Sequence, residues 1–296
     1  MNAIKTTVMM AVMTAILVLI GRLIGGTTGM IVALILAGAL NFVSYWFSDR
    51  IVLSMYRARE VGPDDAPKLY GTVKRLAART GLPMPKVYII PTESANAFAT
   101  GRNPSHAAVA ATKGILRILD QDELEAVLAH EITHVMDRDI LVSTIAATLA
   151  GAITMLAVLA RWTALLGGYG GSRDREGGVF GLIALTILAP IAALVIRLAI
   201  SRTREYMADS GGAKITGKPL ALASALQKLE LVAARYPLPA SRSTAHLFIV
   251  NPLRTGFMVR LFSTHPPVEK RVAKLRDMTG TQVQSAASQG YDYAVL

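Results

Sequence analysis

Asp120-Gln121-Asp122-Glu123-Leu124-Glu125-Ala126-Val127-Leu128-Ala129-His130-Glu131-Ile132-Thr133-His134 is the stretch that decides the fold, and its last five residues spell H-E-x-x-H. Asp120 reads as an N-cap with Glu123 three positions on, the capping-box arrangement. Leu124, Val127, Leu128, Ile132 and Val135 recur at helical spacing and supply an apolar stripe. The stretch therefore predicts a helix with a well-marked start. On a helix, positions i and i+4 share one face, so His130 and His134 can point two imidazole nitrogens at one ion. Glu131 sits about 100° further round, within reach of a water on that ion. Two ligands and a carboxylate base at this spacing are what metal-assisted peptide hydrolysis requires. The bland alternative is a pair of satisfied histidines on a surface helix, since three fixed residues also recur by chance.

The rest of the chain supplies context. Its 296 residues are 52% hydrophobic and 17% charged, with a mean hydropathy of +0.43, too apolar for an ordinary soluble domain. The excess lies in four uncharged runs, Val8–Ile20, Met30–Phe47, Ile140–Ala160 and Val179–Ile196. A bilayer core takes about 20 apolar residues as helix, so four transmembrane helices are expected. The first two fit an uncleaved hairpin better than a signal peptide. No clear small-x-small cleavage site follows Ile20, and a second apolar run comes at once. Cysteine is absent, so any metal site must use His, Asp or Glu and no disulfide forms. The formal net charge is +11; residues 201–296 carry 13 basic against 6 acidic side chains, while residues 49–139 balance at 12 each. Basic segments beside a bilayer belong on its cytoplasmic side and meet anionic lipid. Both termini and both large polar segments are therefore expected inside, with the lipid bilayer as a partner. No nucleic-acid motif is present.

Along the chain, a hairpin at residues 4–48 leads into a polar segment at 49–139. There Asp64–Thr80 reads as a helix and Lys86–Ile90 as a strand bounded by Pro85 and Pro91. Ser94–Gly101 and His106–Thr112 read as two more strands around the turn Gly101-Arg102-Asn103-Pro104. A second apolar hairpin occupies 140–200. Residues 201–280 hold amphipathic helices at 219–235 and 266–278, and 281–296 read as a flexible tail. Only five residues separate His134 from Ile140, so the metal site is expected near the bilayer surface.

A catalytic ion of this type needs a third protein ligand, and the local extension of the motif fails because residue 137 is Asp and residue 140 is Ile. Glu205-Tyr206-Met207-Ala208-Asp209 is the best source, with Glu205 and Asp209 on one helix face. Taken alone, that pair would be an ordinary solvated face. Together, His130-Glu131-x-x-His134 and Ser201-Arg202-x-Arg204-Glu205-Tyr206-x-Ala208-Asp209 resemble the HtpX-type membrane zinc metalloproteases, relatives of the CAAX prenyl proteases. The likeness spans about residues 4–278 in the same order of parts.

The resemblance implies an α+β membrane protein, with four mainly α transmembrane helices and a cytoplasmic zincin-like catalytic domain carrying a small β-sheet. It implies one Zn²⁺ per chain held by His130, His134 and Glu205, with Glu131 as general base and Asp209 orienting His130. It implies cleavage of misfolded or damaged membrane proteins, or other unfolded polypeptides, at the inner face of a prokaryotic plasma membrane. Asn96-Ala97-Phe98-Ala99 resembles the N-A-F segment that pairs with the substrate backbone; the plainer reading is an ordinary strand with Phe98 in the core. Ser263-Thr264-His265-Pro266-Pro267 resembles the family's H-P-P segment, with Arg271 beside the substrate on the next helix. His265 either acts in catalysis, at the oxyanion or the ion's open position, or only braces its loop. His106 and His246 match nothing and read as structural. The rival readings are a processing protease of CAAX or signal-peptide type, a non-catalytic membrane scaffold and a transporter. A transporter would want intramembrane charges, yet only Arg161 and Arg197 lie near the apolar runs, close to their ends.

Overall fold

The computed structural model describes residues 2–152, 202–235, 244, 247–250 and 266–288. It begins with a long helical run, α1 (Asn2–Met55). That run is doubled back. Gly26 has φ +57°, which breaks a right-handed helix, and the Asn41 side-chain amide donates to Thr14 Oγ1 at 2.8 Å. Along a straight helix those residues would stand about 40 Å apart. The second arm, Gly26–Met55, is long and apolar enough to cross a membrane, with only 11% of its most apolar window buried. Leu34, Ile35, Leu36, Phe42 and Trp46 all face outward. Four spanning helices are not established, because Gly26–Met55 is the only such helix among the described residues. Of the second expected hairpin, the described part is helix α5 (Ile140–Ala152). The apolar run Val179–Ile196 lies outside the described residues.

A four-stranded sheet follows: β1 (Arg59–Glu60), β2 (Lys86–Ile90), β3 (Ala97–Gly101) and β4 (Ala107–Thr112), in the order β1-β2-β4-β3. β2 and β4 are parallel and the other pairs antiparallel. The hairpin β3–β4 turns at Gly101, whose φ of +136° only glycine adopts readily. β1 and β3 are the edge strands. Between β1 and β2 runs α2 (Pro67–Thr80), closed by Gly81 in the left-handed conformation. α3 (Lys113–Ile118) leads from β4 into the central helix.

That central helix is α4 (Gln121–Met136). Its capping box is formed: Asp120 Oδ1 accepts from the amides of Asp122 and Glu123, both at 2.9 Å, and Glu123 Oε2 accepts from Asp120 N at 3.0 Å. Leu124 to Val135 are buried except for His134, which is nearly so. The helix is therefore enclosed by α2, the sheet, α6 (Arg202–Thr216) and α7 (Pro219–Arg235). Lys228 and Ser224 on α7 bind Glu123 at 2.6 and 2.7 Å. α6 approaches most closely, through Gly211 and Gly212. A Cβ at Gly212 would stand 2.8 Å from the His130 amide nitrogen and 3.0 Å from its Cα. α8 (Val268–Ser288) packs on α7 and α6 and runs past Gly280, where the sequence suggested a loose tail.

Candidate metal centre

α4 carries His130 and His134 one turn apart, and the glycine contact sets α6 against them. Glu205, in the first turn of α6, then falls opposite both rings. Its Oε2 lies 3.9 Å from His130 Nε2 and its Oε1 3.8 Å from His134 Nε2. One ligand atom from each residue lies within 4.8 Å of the others. Tetrahedral ligands around a zinc-sized ion stand about 3.4 Å apart, so a small inward shift closes the three onto one divalent ion. Two imidazoles and one carboxylate suit such an ion and leave a coordination position open.

Each imidazole turns its Nε2 to the centre and its Nδ1 to a carboxylate of its own. His130 Nδ1 lies 3.0 Å from Asp209 Oδ1, at hydrogen-bond length though off a straight hydrogen-bond angle. Arg271 grips Asp209 with two nitrogens, at 2.8 and 2.6 Å, a bidentate pair. His134 Nδ1 lies 3.7 Å from Asp139 Oδ2, and Arg204 Nη1 donates to Asp139 Oδ1 at 2.9 Å.

Charge and burial tune these groups in opposite directions. Burial lowers His130 to about 4, against the pull of Asp209. Burial would also lower His134, but Asp139, Glu205 and Glu131 together outweigh it and raise the ring to about 9. Burial drives Glu131 up to about 8, helped by the Glu205 charge. Burial opposes ionisation of Asp209 too, yet Arg271 and His130 hold it down at about 2.

Glu131 is buried beside the centre and is not within the ligand set. Its Oε2 accepts the Ala99 amide of β3 at 2.9 Å. On the outer edge of β3 the Ala97 carbonyl and the Ala99 amide are both engaged. Ile249 N donates to the Ala97 carbonyl at 3.3 Å, while the Asn96 side chain donates to the Val250 carbonyl at 2.8 Å. Leu247–Val250 forms a strap along this edge. Phe248 stacks edge-on against Phe98 and Tyr56, with ring centres 5.3 and 5.1 Å away. The cavity left between strap and centre is about 30 Å³, room for one water or ion.

The structure thus gathers His130, Glu131, His134, Glu205 and Asp209 at one point, with Asn96–Ala99 beside them. Arg271 is fully buried, set on Asp209 and on the Ile249 carbonyl at 2.7 Å. Phe98 is buried in the core as the plainer reading had it, although its strand lines the site. His265 and His246 lie outside the described residues. His106 is exposed, and its Nδ1 pairs with Asn103 Oδ1 in its own turn at 2.9 Å. The sequence predicts no role for Asp139, Arg204 or the strap. An acid five residues after His134, just before an apolar run, was the available signal for Asp139. Nothing local marks Leu247–Val250.

Comparison with known proteins agrees with this geometry. The chain is 57% identical over 93% of its length to a protein named Protease HtpX homolog from Desulforapulum autotrophicum, of which it covers 89%. It is 56% identical over 92% of its length to the protein of the same name from Pyrococcus furiosus, of which it covers 94%. Among solved structures, Ste24p of S. mikatae overlaps 90% of this chain at a TM-score of 0.49 and 18% identity. The chain spans only 62% of that protein, and so loose a likeness adds nothing to the assignment. The model of Peptidase family M48 matches residues 63–279, and the chain therefore belongs to that family of metallopeptidases.

Proposed function

We propose that this metalloprotease is an integral-membrane, zinc-dependent endopeptidase that cuts misfolded or damaged membrane proteins at the cytoplasmic face. The observation that carries the reading is Glu205, brought from a remote helix to within 4 Å of both histidines. His130, His134 and Glu205 are the residues that would hold the ion. When bound, the ion acidifies a water and polarises the scissile carbonyl. Glu131 supplies the base. The Ala99 amide pins its Oε2, so its other oxygen is the one left to take the water's proton and pass it to the leaving amine.

The substrate backbone adds to the outer edge of β3 at Asn96–Ala99, as an extended strand does at an open sheet edge. The strap now on that edge has to yield first, because 30 Å³ admits no peptide. Membrane residence rests on the outward apolar face of Gly26–Met55. The cytoplasmic orientation rests on the basic excess in residues 201–296.

The test measures zinc per chain and cleavage of an unfolded protein, on detergent-purified wild type and Glu131→Gln. Zinc in both with cleavage only in the wild type is expected. Cleavage retained by a clean Glu131→Gln preparation overturns the mechanism.

A further inference from the structure

We propose that Asp139 and Arg204 are positioning residues for the ligand His134, forming a second, looser carboxylate–arginine brace beside the one on His130. The inference rests on the metallopeptidase reading and adds the orientation of its second imidazole. His134 turns Nε2 to Glu205 and Nδ1 towards Asp139 Oδ2 at 3.7 Å, a longer approach than the 3.0 Å from His130 Nδ1 to Asp209 and one that a shift of a few tenths of an ångström brings to hydrogen-bond length. A carboxylate at Nδ1 fixes the tautomer that leaves the Nε2 lone pair for the ion, and raises that nitrogen's basicity. Both carboxylates are buried, and each is anchored by an arginine, Arg271 for Asp209 and Arg204 for Asp139.

The backbone is bent to make this contact. α4 ends at Met136, and Arg138 adopts φ +57°, a left-handed conformation unusual for a side chain other than Gly, Asn or Asp. A continuing helix would carry residue 139 round to another face. Here the turn brings Asp139 N back onto the His134 carbonyl at 3.0 Å, with its side chain beside the ring. Arg204 directly precedes Glu205, so one turn of α6 delivers both the third ligand and the anchor of the second brace.

The competing role for Asp139 is structural, since its carbonyl starts α5 by accepting Ser143 N at 3.2 Å. Asn caps a helix as well as Asp, so Asp139→Asn separates the two roles. The experiment titrates Zn²⁺ against a chromophoric chelator on the full chain in detergent, with Co²⁺ absorption as a second readout. It compares wild type with Asp139→Asn, Asp209→Asn, Arg204→Gln and Arg204→Lys, and follows thermal unfolding of each without metal. Asp139→Asn is expected to bind Zn²⁺ roughly 10–100-fold more weakly, with an altered Co²⁺ spectrum and an unchanged metal-free melting temperature. Arg204→Gln is expected to weaken binding less, and Arg204→Lys to restore part of it. Should Asp139→Asn fail to fold, the Arg204 pair decides. Wild-type affinity and spectrum in Asp139→Asn, or in Arg204→Gln where only that pair folds, overturn the inference alone. A wild-type chain that binds no divalent ion overturns the metal reading and the inference together.

Discussion

The central helix α4 and the hairpin arm Gly26–Met55 are both rich in Leu, Ile, Val and Ala, yet they meet opposite surroundings. Along α4 nearly every side chain from Leu124 to Val135 is sealed by protein. Along Gly26–Met55 leucine, isoleucine, phenylalanine and tryptophan point outward. The same apolar residue types thus serve two solvents. Protein encloses α4 so that a few polar groups can be held at fixed distances in a dry site. The arm instead offers a continuous apolar surface that water would penalise and hydrocarbon would not. Polar groups follow the same division. In the site, His130, Glu205 and Asp209 are buried and held by one another, and buried Glu131 is held by the Ala99 amide. In the hairpin, Asn41 and Thr14 simply satisfy each other between the arms.

The contrast can be broken most severely at the α4–α6 contact. Gly212→Val puts side-chain carbon against the His130 and Ala129 backbone, which cannot give way as a flexible side chain could. It should force α6 off α4, carry Glu205 out of reach of the histidines and abolish zinc binding, as read by metal content. Truncation at equivalent depth in sequence terms but different surroundings sharpens the comparison. Leu128→Ala, at a fully buried position, should cost about 2–5 kcal/mol. Leu34→Ala on the outward face of the arm should cost under about 1 kcal/mol in detergent, since no cavity forms. Equal losses in chemical denaturation would refute the division of surroundings.

The electrostatics of the dry site give a pH signature. The ion needs neutral His134, whose pKa is raised to about 9, so metal must displace a proton throughout the neutral range. Apparent zinc affinity should climb about tenfold per pH unit up to about 9, measured by competition titration, and a flat profile would show that the ring is already neutral. The smallest effect concerns the strap. Phe248→Ala removes the ring set on Phe98 and Tyr56 and should speed cleavage of a short peptide a few-fold with zinc content unchanged. A slower reaction would mean that the strap supports the substrate rather than competing with it.

Much of this was legible in the chain. The capping box at Asp120, the apolar stripe and the i, i+4 histidines are local signals, and the structure returns them with little change. Strand positions were legible within a few residues, although β1 is too short to announce itself. The strap was not legible, because its bond from Ile249 to Ala97 joins segments about 150 residues apart with no shared period. The resemblance puts Arg271 beside substrate, whereas the fold closes it onto Asp209. Only packing decides which partner a buried guanidinium finds.

Capping, helical periodicity and hydrophobic length act between near neighbours, so the helix of the two histidines and the apolar runs can be read from the chain alone. Residue type narrows the third candidate ligand to a few carboxylates. The tertiary structure decided which carboxylate faces which nitrogen, through the Gly211–Gly212 contact and the left-handed turn at Arg138. Distances of a few ångström between remote helices depend on how two surfaces interlock. That is a property of the packed interior and is carried by no single segment of the chain.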